Sequence, residues 1–238
     1  TTHIDVSGID VEVVRKDIKN LHLAVYPPDG RVRIAVPNHI DAEAVRSAIA
    51  TRLGWIRKRQ ERMRNQERQS TREMVNGESH YAWGRRYRLK VTSDASSNRV
   101  VLDGLTTMTL EARPGADADR MRLTLQDWYR SELKARIPAL IDKWTPVIGV
   151  EVAEWGVKKM KTRWGSCNPT ARRIWLNLEL AKKPPECLEY VVVHEMVHIL
   201  ERLHNDHFRD LMDQFMPNWR SHRDELNRAP LAHEDWTY

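Results

Sequence analysis

The fold is best inferred from the stretch Tyr190-Val191-Val192-Val193-His194-Glu195-Met196-Val197-His198-Ile199-Leu200. On a helix, positions four apart share one face, so His194 and His198 can direct two imidazole nitrogens at one metal ion. The apolar residues on all sides predict a buried helix. Glu195 lies beside the first histidine and not in line with it, so its carboxylate can hold a metal-bound water and accept its proton. The pattern predicts a divalent-metal site, with zinc as the expected ion, in a hydrolase. The competing interpretation is a pair of core histidines.

A third metal ligand has to come from outside this pattern, because catalytic zinc usually takes three protein ligands and one water. His204 lies six residues beyond His198, which is too far for the same helical face, so the chain must turn after Leu203. The spacing equals that of the extended His-Glu-x-x-His-x-x-Gly-x-x-His motif, except that Glu201 replaces the glycine. His204 is the favoured third ligand, and His207 and Glu201 are the alternatives.

Apolar periodicity places this helix in an α+β chain. Alternation with a period of two predicts short strands in the first 37 residues and again over 76–113. Helices are predicted, in chain order, over 41–72, 117–144, 185–202 and 207–216, with strands near 150–154 and 174–178. Pro138 should bend or divide the long helix, and no internal repeat is evident. We expect an N-terminal β-rich region with a long basic helix at 1–115, and a metal-binding catalytic domain at 116–238, in which the metal helix packs on a small sheet.

Composition narrows the class of protein. The 238 residues are 41% hydrophobic and include nine tryptophans, enough for a packed core. No apolar run reaches the length of a membrane span. Two cysteines cannot form a disulfide framework, and the first five residues have neither the basic start nor the apolar core of a signal peptide. We therefore expect a cytoplasmic protein that does not enter a membrane.

The positive charge is concentrated in one segment. Residues 46–72 contain nine basic and two acidic side chains, while the net charge of the whole chain is only +6. A solvated helix face is the simplest interpretation. A surface for phosphate or nucleic acid is the alternative, in which Trp55 and Trp83 could stack on bases, although local packing is favoured for both.

A second motif, Arg163-Trp164-Gly165-Ser166-Cys167, is expected to form a strand beside the metal helix. Its backbone or Arg163 could orient a substrate, while Gly165 would permit a close approach of another chain segment. Trp164 and Cys167 are expected to pack in the core. Cys167 as a fourth metal ligand would close the site and argue against catalysis. Candidates for stabilising a developing oxyanion are Arg163, Arg220 and His222.

These motifs resemble the YgjP-like metal-dependent hydrolases, which are related to the SprT-like metallopeptidases. The matching elements are Lys161 to Cys167, Ile174-Trp175-Leu176-Asn177, Tyr190 to His198, His204-Asn205-Asp206-His207-Phe208 and Met216-Pro217-Asn218-Trp219. The resemblance implies a zincin-like catalytic core, with His194, His198 and His204 as zinc ligands and Glu195 as the base. It implies less about what is cleaved.

Three functions therefore stay open. The first is a zinc-dependent metallopeptidase that acts on a peptide or protein by means of a metal-bound water activated by Glu195. The second is a metal-dependent phosphohydrolase of the nucleotide pyrophosphatase type, suggested by the arginine surplus. The third is a nucleic-acid-associated module with a structural metal, bound through the basic helix. Other divalent transition metals could occupy the same ligands.

Overall fold

The computed structural model describes residues 2–26, 29–65, 73–160 and 163–228. Its contacts divide the chain into two compact units, with the division between residues 70 and 71. The division predicted at residue 115 does not coincide with it. Residues 73–112 belong with the second unit because Leu89, Met108 and Leu110 are buried in one core with the metal helix.

The first unit is a four-stranded sheet followed by two helices. Its elements are β1 (Thr2–Val6), β2 (Ile9–Lys16), β3 (His22–Tyr26), β4 (Arg31–Pro37), α1 (Ala42–Ala50) and α2 (Leu53–Asn65). The strand order is β1-β2-β4-β3, and β2 and β4 pair in parallel. Alternate residues such as Val11, Val32 and Ile34 are buried, and they form one cluster with Val45 and Ile56 of the two helices.

The helix predicted over 41–72 is two helices in the structure. Asp41 caps α1 by accepting a hydrogen bond from the backbone N–H of Ala44. The hydroxyl of Thr51 donates to the carbonyl of Ala48 at the C-terminal end of α1, which competes with the helical hydrogen bonds. Gly54 lowers the helix propensity just after this point. Residues 66–72 lie outside the described residues.

The second unit contains two sheets and four α-helices among its described residues. Its elements are β5 (Ser79–Ala82), β6 (Arg85–Thr92), β7 (Arg99–Asp103), β8 (Thr107–Glu111), α3 (Ala118–Ile148), β9 (Glu154–Lys158), β10 (Gly165–Asn168), β11 (Arg173–Asn177), a 3-10 helix (Leu178–Lys182), α4 (Pro185–Val197), α5 (Asp206–Phe215) and α6 (Trp219–Arg228). The α+β class predicted from the sequence is confirmed. Pro138 does not divide α3, because the buried stripe continues on both sides of it through Ile137 and Ile141.

The two four-stranded sheets share one topology. The order β5-β6-β8-β7 repeats that of the first unit, with β6 and β8 again parallel. Each sheet begins with a two-residue hairpin in which both turn residues have positive φ: Ser7 and Gly8 in the first, Trp83 and Gly84 in the second. This is the geometry of a type I′ turn. The structural repeat has no counterpart that is visible in the sequence.

The metal helix α4 lies against the smaller sheet, whose order is β10-β11-β9. It also packs against α3, α5 and α6. Most of its residues are buried, including the run from Tyr190 to Val193. No helix in the described part of the chain combines the length and the apolar character that a membrane crossing requires.

Candidate metal centre

Three histidine rings converge at the C-terminal end of α4. The Nε2 atoms of His194 and His198 lie 3.2 Å apart, those of His198 and His204 3.1 Å, and those of His194 and His204 3.0 Å. Zinc–nitrogen bonds of 2.0–2.1 Å at tetrahedral angles separate the nitrogens by about 3.3 Å. The three donors therefore fit one tetrahedral metal ion, with one corner left over for water or substrate.

The chain beyond α4 brings His204 to this cluster without the glycine of the extended motif. The backbone turns after Val197, and the side chain of Glu201 accepts a hydrogen bond from the backbone N–H of Leu203. Asn205 then caps α5 by accepting from the backbone N–H of Phe208. These two polar side chains hold the turn. Among the described residues that could ligate a metal, the cluster is His194, His198 and His204 alone, so it contains neither His207 nor Glu201.

The surroundings orient the imidazoles. The Nδ1–H of His198 can donate to the carbonyl of Glu201 at 3.0 Å, which directs the Nε2 lone pair at the cluster. The hydroxyl of Tyr190 lies 3.5 Å from Nδ1 of His194. The buried ring of Phe208 packs against all three imidazoles, with centroids 4.6–5.0 Å away.

Burial keeps the imidazoles neutral. It is the main cause that lowers the pKa of His194 to about 3, with His198 and His204 adding repulsion. The pKa values of His198 and His204 are also lowered, chiefly by burial. Neutral imidazole is the form that binds a metal ion, so the site is preorganised for a cation.

Glu195 is buried beside the cluster. Its Oε2 atom has no hydrogen-bond partner among the described residues. Burial raises the pKa of Glu195 to about 8, and the nearby Arg163 opposes this shift. A bound cation would lower the pKa again, because it favours the carboxylate. An unsatisfied buried carboxylate is costly in a core, so its position is consistent with a role toward a bound group.

Strand β10 makes room for Glu195 at Gly165. A Cβ atom at this position would lie 2.4 Å from Oε1 of Glu195, closer than atoms can approach. The close approach predicted at Gly165 is therefore present, and its partner is this carboxylate. The segment before β10 is held by Asn177, whose buried side-chain amide donates to the carbonyls of Met160 and Arg163 at 2.9 and 2.7 Å. Asn177 was quoted from the sequence only as the end of the Ile174–Asn177 element and was given no role, although an amide that follows an apolar strand is a recognisable signal.

The cluster opens into a cavity of about 760 Å³. Its walls come from the segment before β10, from β10, α4 and α6, and from the loop after α4. The lining residues are Arg163, Trp164, Gly165, Ser166, Cys167, Pro169, Tyr190, Val191, His194, Glu195, His198, Arg202, His204, Arg223 and Leu226.

The structure separates the three oxyanion candidates. Arg163 lines the cavity, whereas Arg220 and His222 do not. Arg220 is instead paired with Asp213. Sequence inspection missed Tyr190 and Arg223. The spacing of Tyr190 could have identified it, because it lies four residues before His194 and hence on the same helical face. No spacing connects Arg223 with the metal helix.

Cys167 is not part of the histidine cluster. It lines the cavity, and burial together with Glu195 raises the pKa of its thiol to about 11. The thiol is therefore the dominant form at neutral pH, and thiolate is the form that ligates zinc. A fourth ligand from Cys167, which would have closed the site, has no support in this arrangement.

The chain was compared with curated proteins and with models of protein families. None of the curated proteins compared matches the chain. The model of the family described as "YgjP-like, metallopeptidase domain" matches residues 19–229, which is most of the chain. Family membership supports a metal-dependent hydrolase. The chain thus belongs to the YgjP-like family and carries its metallopeptidase domain.

Proposed function

We propose that this protein is a zinc-dependent metallopeptidase in which His194, His198 and His204 hold the metal and Glu195 is the general base. The observation that carries the proposal is the convergence of three Nε2 atoms at 3.0–3.2 Å. Three neutral imidazoles suit zinc, although other divalent transition metals accept the same donors. The chemistry that such a metal supplies when bound is Lewis-acid activation of water and of the scissile carbonyl.

Glu195 then accepts the proton of the attacking water and passes it to the leaving amine. Burial raises the pKa of Glu195 and a bound cation would lower it, and these opposing effects suit a carboxyl group that both accepts and releases a proton. Gly165 and the apolar part of α4 hold the carboxylate in place. Tyr190 and Arg163 line the cavity and can donate hydrogen bonds to a developing oxyanion.

An extended peptide suits the shape of this site. Strand β10 is an edge strand of its sheet, and Gly165, Ser166 and Cys167 line the cavity. An edge strand presents backbone N–H and C=O groups that a substrate strand can pair with. We expect the scissile bond to lie near Gly165, where the carboxylate of Glu195 lies against the strand.

The test is Glu195→Gln in the full-length protein. Zinc content, measured by elemental analysis, should match that of the wild type, while cleavage of fluorogenic peptides should fall by at least about 100-fold because the base is lost. Glu186→Gln is the matched control, since Glu186 is an exposed residue on the same helix and outside the cavity. Unchanged peptide cleavage by Glu195→Gln would remove the base from this proposal.

The alternative substrate is a nucleotide phosphoanhydride, and the arginines in the cavity keep it under consideration. The zinc-loaded protein should be incubated in parallel with a nucleotide panel and with unfolded proteins. Release of phosphate or pyrophosphate without peptide cleavage would overturn the peptidase proposal. A structural metal without catalysis would require a fourth protein ligand, and the three-histidine cluster provides none among the described residues.

A further inference from the structure

We propose that the cavity selects peptides with acidic side chains next to the scissile bond, and that Arg163, Arg202 and Arg223 determine this specificity. The inference rests on the proposed peptidase function and names its substrate class. It starts from the charges that line the cavity, which are three arginines and one carboxylate, Glu195.

The carboxylate does not balance the arginines. Glu195 is the single acidic side chain among the described lining residues, so the three guanidinium groups exceed it in charge even when it is ionised. With a divalent cation bound, the site gains further positive charge. Either way the cavity has an excess of positive charge, and an anionic substrate group is what complements it.

Two of the arginines are available to a substrate. Arg163 and Arg202 are exposed, and neither forms an ion pair with another residue in the described ranges. Arg163 also lies two residues before Gly165, which contacts Glu195, so it stands near the reacting atoms. Each guanidinium presents donors in a planar fork that matches a carboxylate.

Arg223 is already oriented. Its guanidinium lies 5.0 Å from the ring centroid of Trp219 and pairs with the neighbouring carboxylate of Asp224 at 3.0 Å. Both partners are on α6 with it, so the side chain is held at the cavity wall with part of its charge neutralised. We therefore expect Arg223 to contribute less to selection than Arg163 and Arg202.

The three arginines come from different parts of the fold. Arg163 precedes β10, Arg202 follows α4 and Arg223 lies on α6. A peptide that crosses the cavity along β10 would therefore meet a guanidinium at more than one position. Acidic residues should be favoured at more than one place around the cleaved bond, and most strongly near Arg163.

The experiment compares peptides that differ only in charge. Fluorogenic peptides carrying Glu, Gln or Lys at each position around the scissile bond are cleaved by the zinc-loaded full-length protein at about 0.05 M and about 0.5 M salt. At low salt we expect kcat/KM for the Glu peptide to exceed that for the Gln peptide by about tenfold, because charge-assisted hydrogen bonds are roughly twice as strong as neutral ones. This ratio should become smaller at high salt, because salt screens exposed charges.

Variants of the arginines then test which of them cause the preference for the Glu peptide. Arg163→Gln and Arg202→Gln should each lower the Glu-to-Gln ratio toward one, and Arg202→Glu should raise cleavage of the Lys peptide relative to the Glu peptide. Arg209→Gln is the matched control, because Arg209 is an exposed arginine outside the cavity, and its ratio should equal that of the wild type. Zinc content and thermal unfolding verify that each variant is folded.

The outcomes separate the two proposals. Equal cleavage of Glu and Gln peptides by an active protein would overturn the acidic preference and leave the peptidase proposal intact. Absence of cleavage of every peptide by zinc-loaded protein would overturn the proposed function itself. Hydrolysis of nucleotides in place of peptides would show that the arginines serve phosphate groups and would overturn this inference.

Discussion

At the scale of single residues, the position of the Glu195 carboxylate depends on its contact with Gly165. A side chain as small as a methyl group cannot fit between β10 and the carboxylate, since the Cβ would lie 2.4 Å from Oε1 and 2.7 Å from Cγ of Glu195. The carboxylate is also almost fully buried and lines the cavity, so a side chain at position 165 would have to displace it from β10.

Gly165→Ala should therefore displace the base and leave the metal ligands in place. We expect kcat/KM for peptide cleavage to fall by about 100-fold, because small misplacements of catalytic groups have effects of this size. Zinc content measured by elemental analysis should not change. Gly54→Ala is the control, since Gly54 has no neighbouring atom within 4 Å of an added Cβ and lies in a helix, where alanine is favoured. Full activity of Gly165→Ala would mean that Glu195 does not act from the observed position.

At the scale of secondary-structure elements, the first turn of α4 is supported by the β5–β6 hairpin. The backbone N–H of Trp83 donates to the carbonyl of Ala181 at 2.9 Å. Gly84 packs on Pro184, the residue before α4, and a Cβ at Gly84 would lie 2.9 Å from Cγ of Pro184. This hairpin is where the larger sheet contacts the 3-10 helix and Pro184, which lead into α4.

The structural repeat provides a matched pair of variants for this contact. Gly8 and Gly84 hold equivalent turn positions with the same φ of 78°, but nothing lies within 4 Å of a Cβ added at Gly8. Gly8→Ala should lower the free energy of unfolding by about 1 kcal/mol, which is the cost of a positive φ alone. Gly84→Ala should lower it by about 2–4 kcal/mol, because overpacking against Pro184 adds to that cost. Calorimetry of both variants measures the difference, and equal losses would contradict the proposed support of α4.

The described part of the basic segment, residues 46–65, also forms contacts within the first unit. Several arginines of the segment donate to backbone carbonyls: Arg46 to Asp5, Arg52 to Ala48 and Arg57 to Ser7. Trp83 donates to Glu132 and stacks with Arg136, so it packs locally, as favoured from the sequence. Trp55, for which local packing was also favoured, has 49% of its surface exposed. Binding of nucleic acid by this segment stays a prediction.

At the scale of the whole molecule, each unit has its own hydrophobic core. One cluster is formed by residues of the first sheet with α1 and α2, and the other surrounds α3 and α4. The histidine cluster belongs entirely to the second unit.

Removal of the metal should therefore destabilise one unit only. Free metal at about 1,000 times its Kd stabilises the unit that binds it by about 4 kcal/mol, which corresponds to a shift of about 10 °C for a domain of this size. Scanning calorimetry with and without a chelator should show one transition that shifts and one that does not. His207→Asn should keep this response, because His207 is outside the cluster, whereas His204→Asn should weaken it. Equal shifts of both transitions would contradict the assignment of the metal to the second unit.

The local features of this protein could be predicted from its sequence, because they depend on periodicity over a few residues. The spacing of His194 and His198 predicted a helix with both rings on one face, the apolar run around them predicted its burial, and alternation predicted most strands. The strand expected beside the metal helix is present as β10. Helix α6 was not predicted, because Trp219 and Leu226 are its only apolar residues.

Only the tertiary structure decided the contacts between residues that are far apart in the chain. The spacing of the extended motif favoured His204 as the third ligand, but the approach of its ring to His194 and His198 depends on the turn held by the side chains of Glu201 and Asn205. The contact of Gly165 with Glu195 and the meeting of arginines from three elements depend on how the sheet and the helices pack. No spacing along the chain encodes these contacts, because they arise from burial of apolar surface shared by many residues.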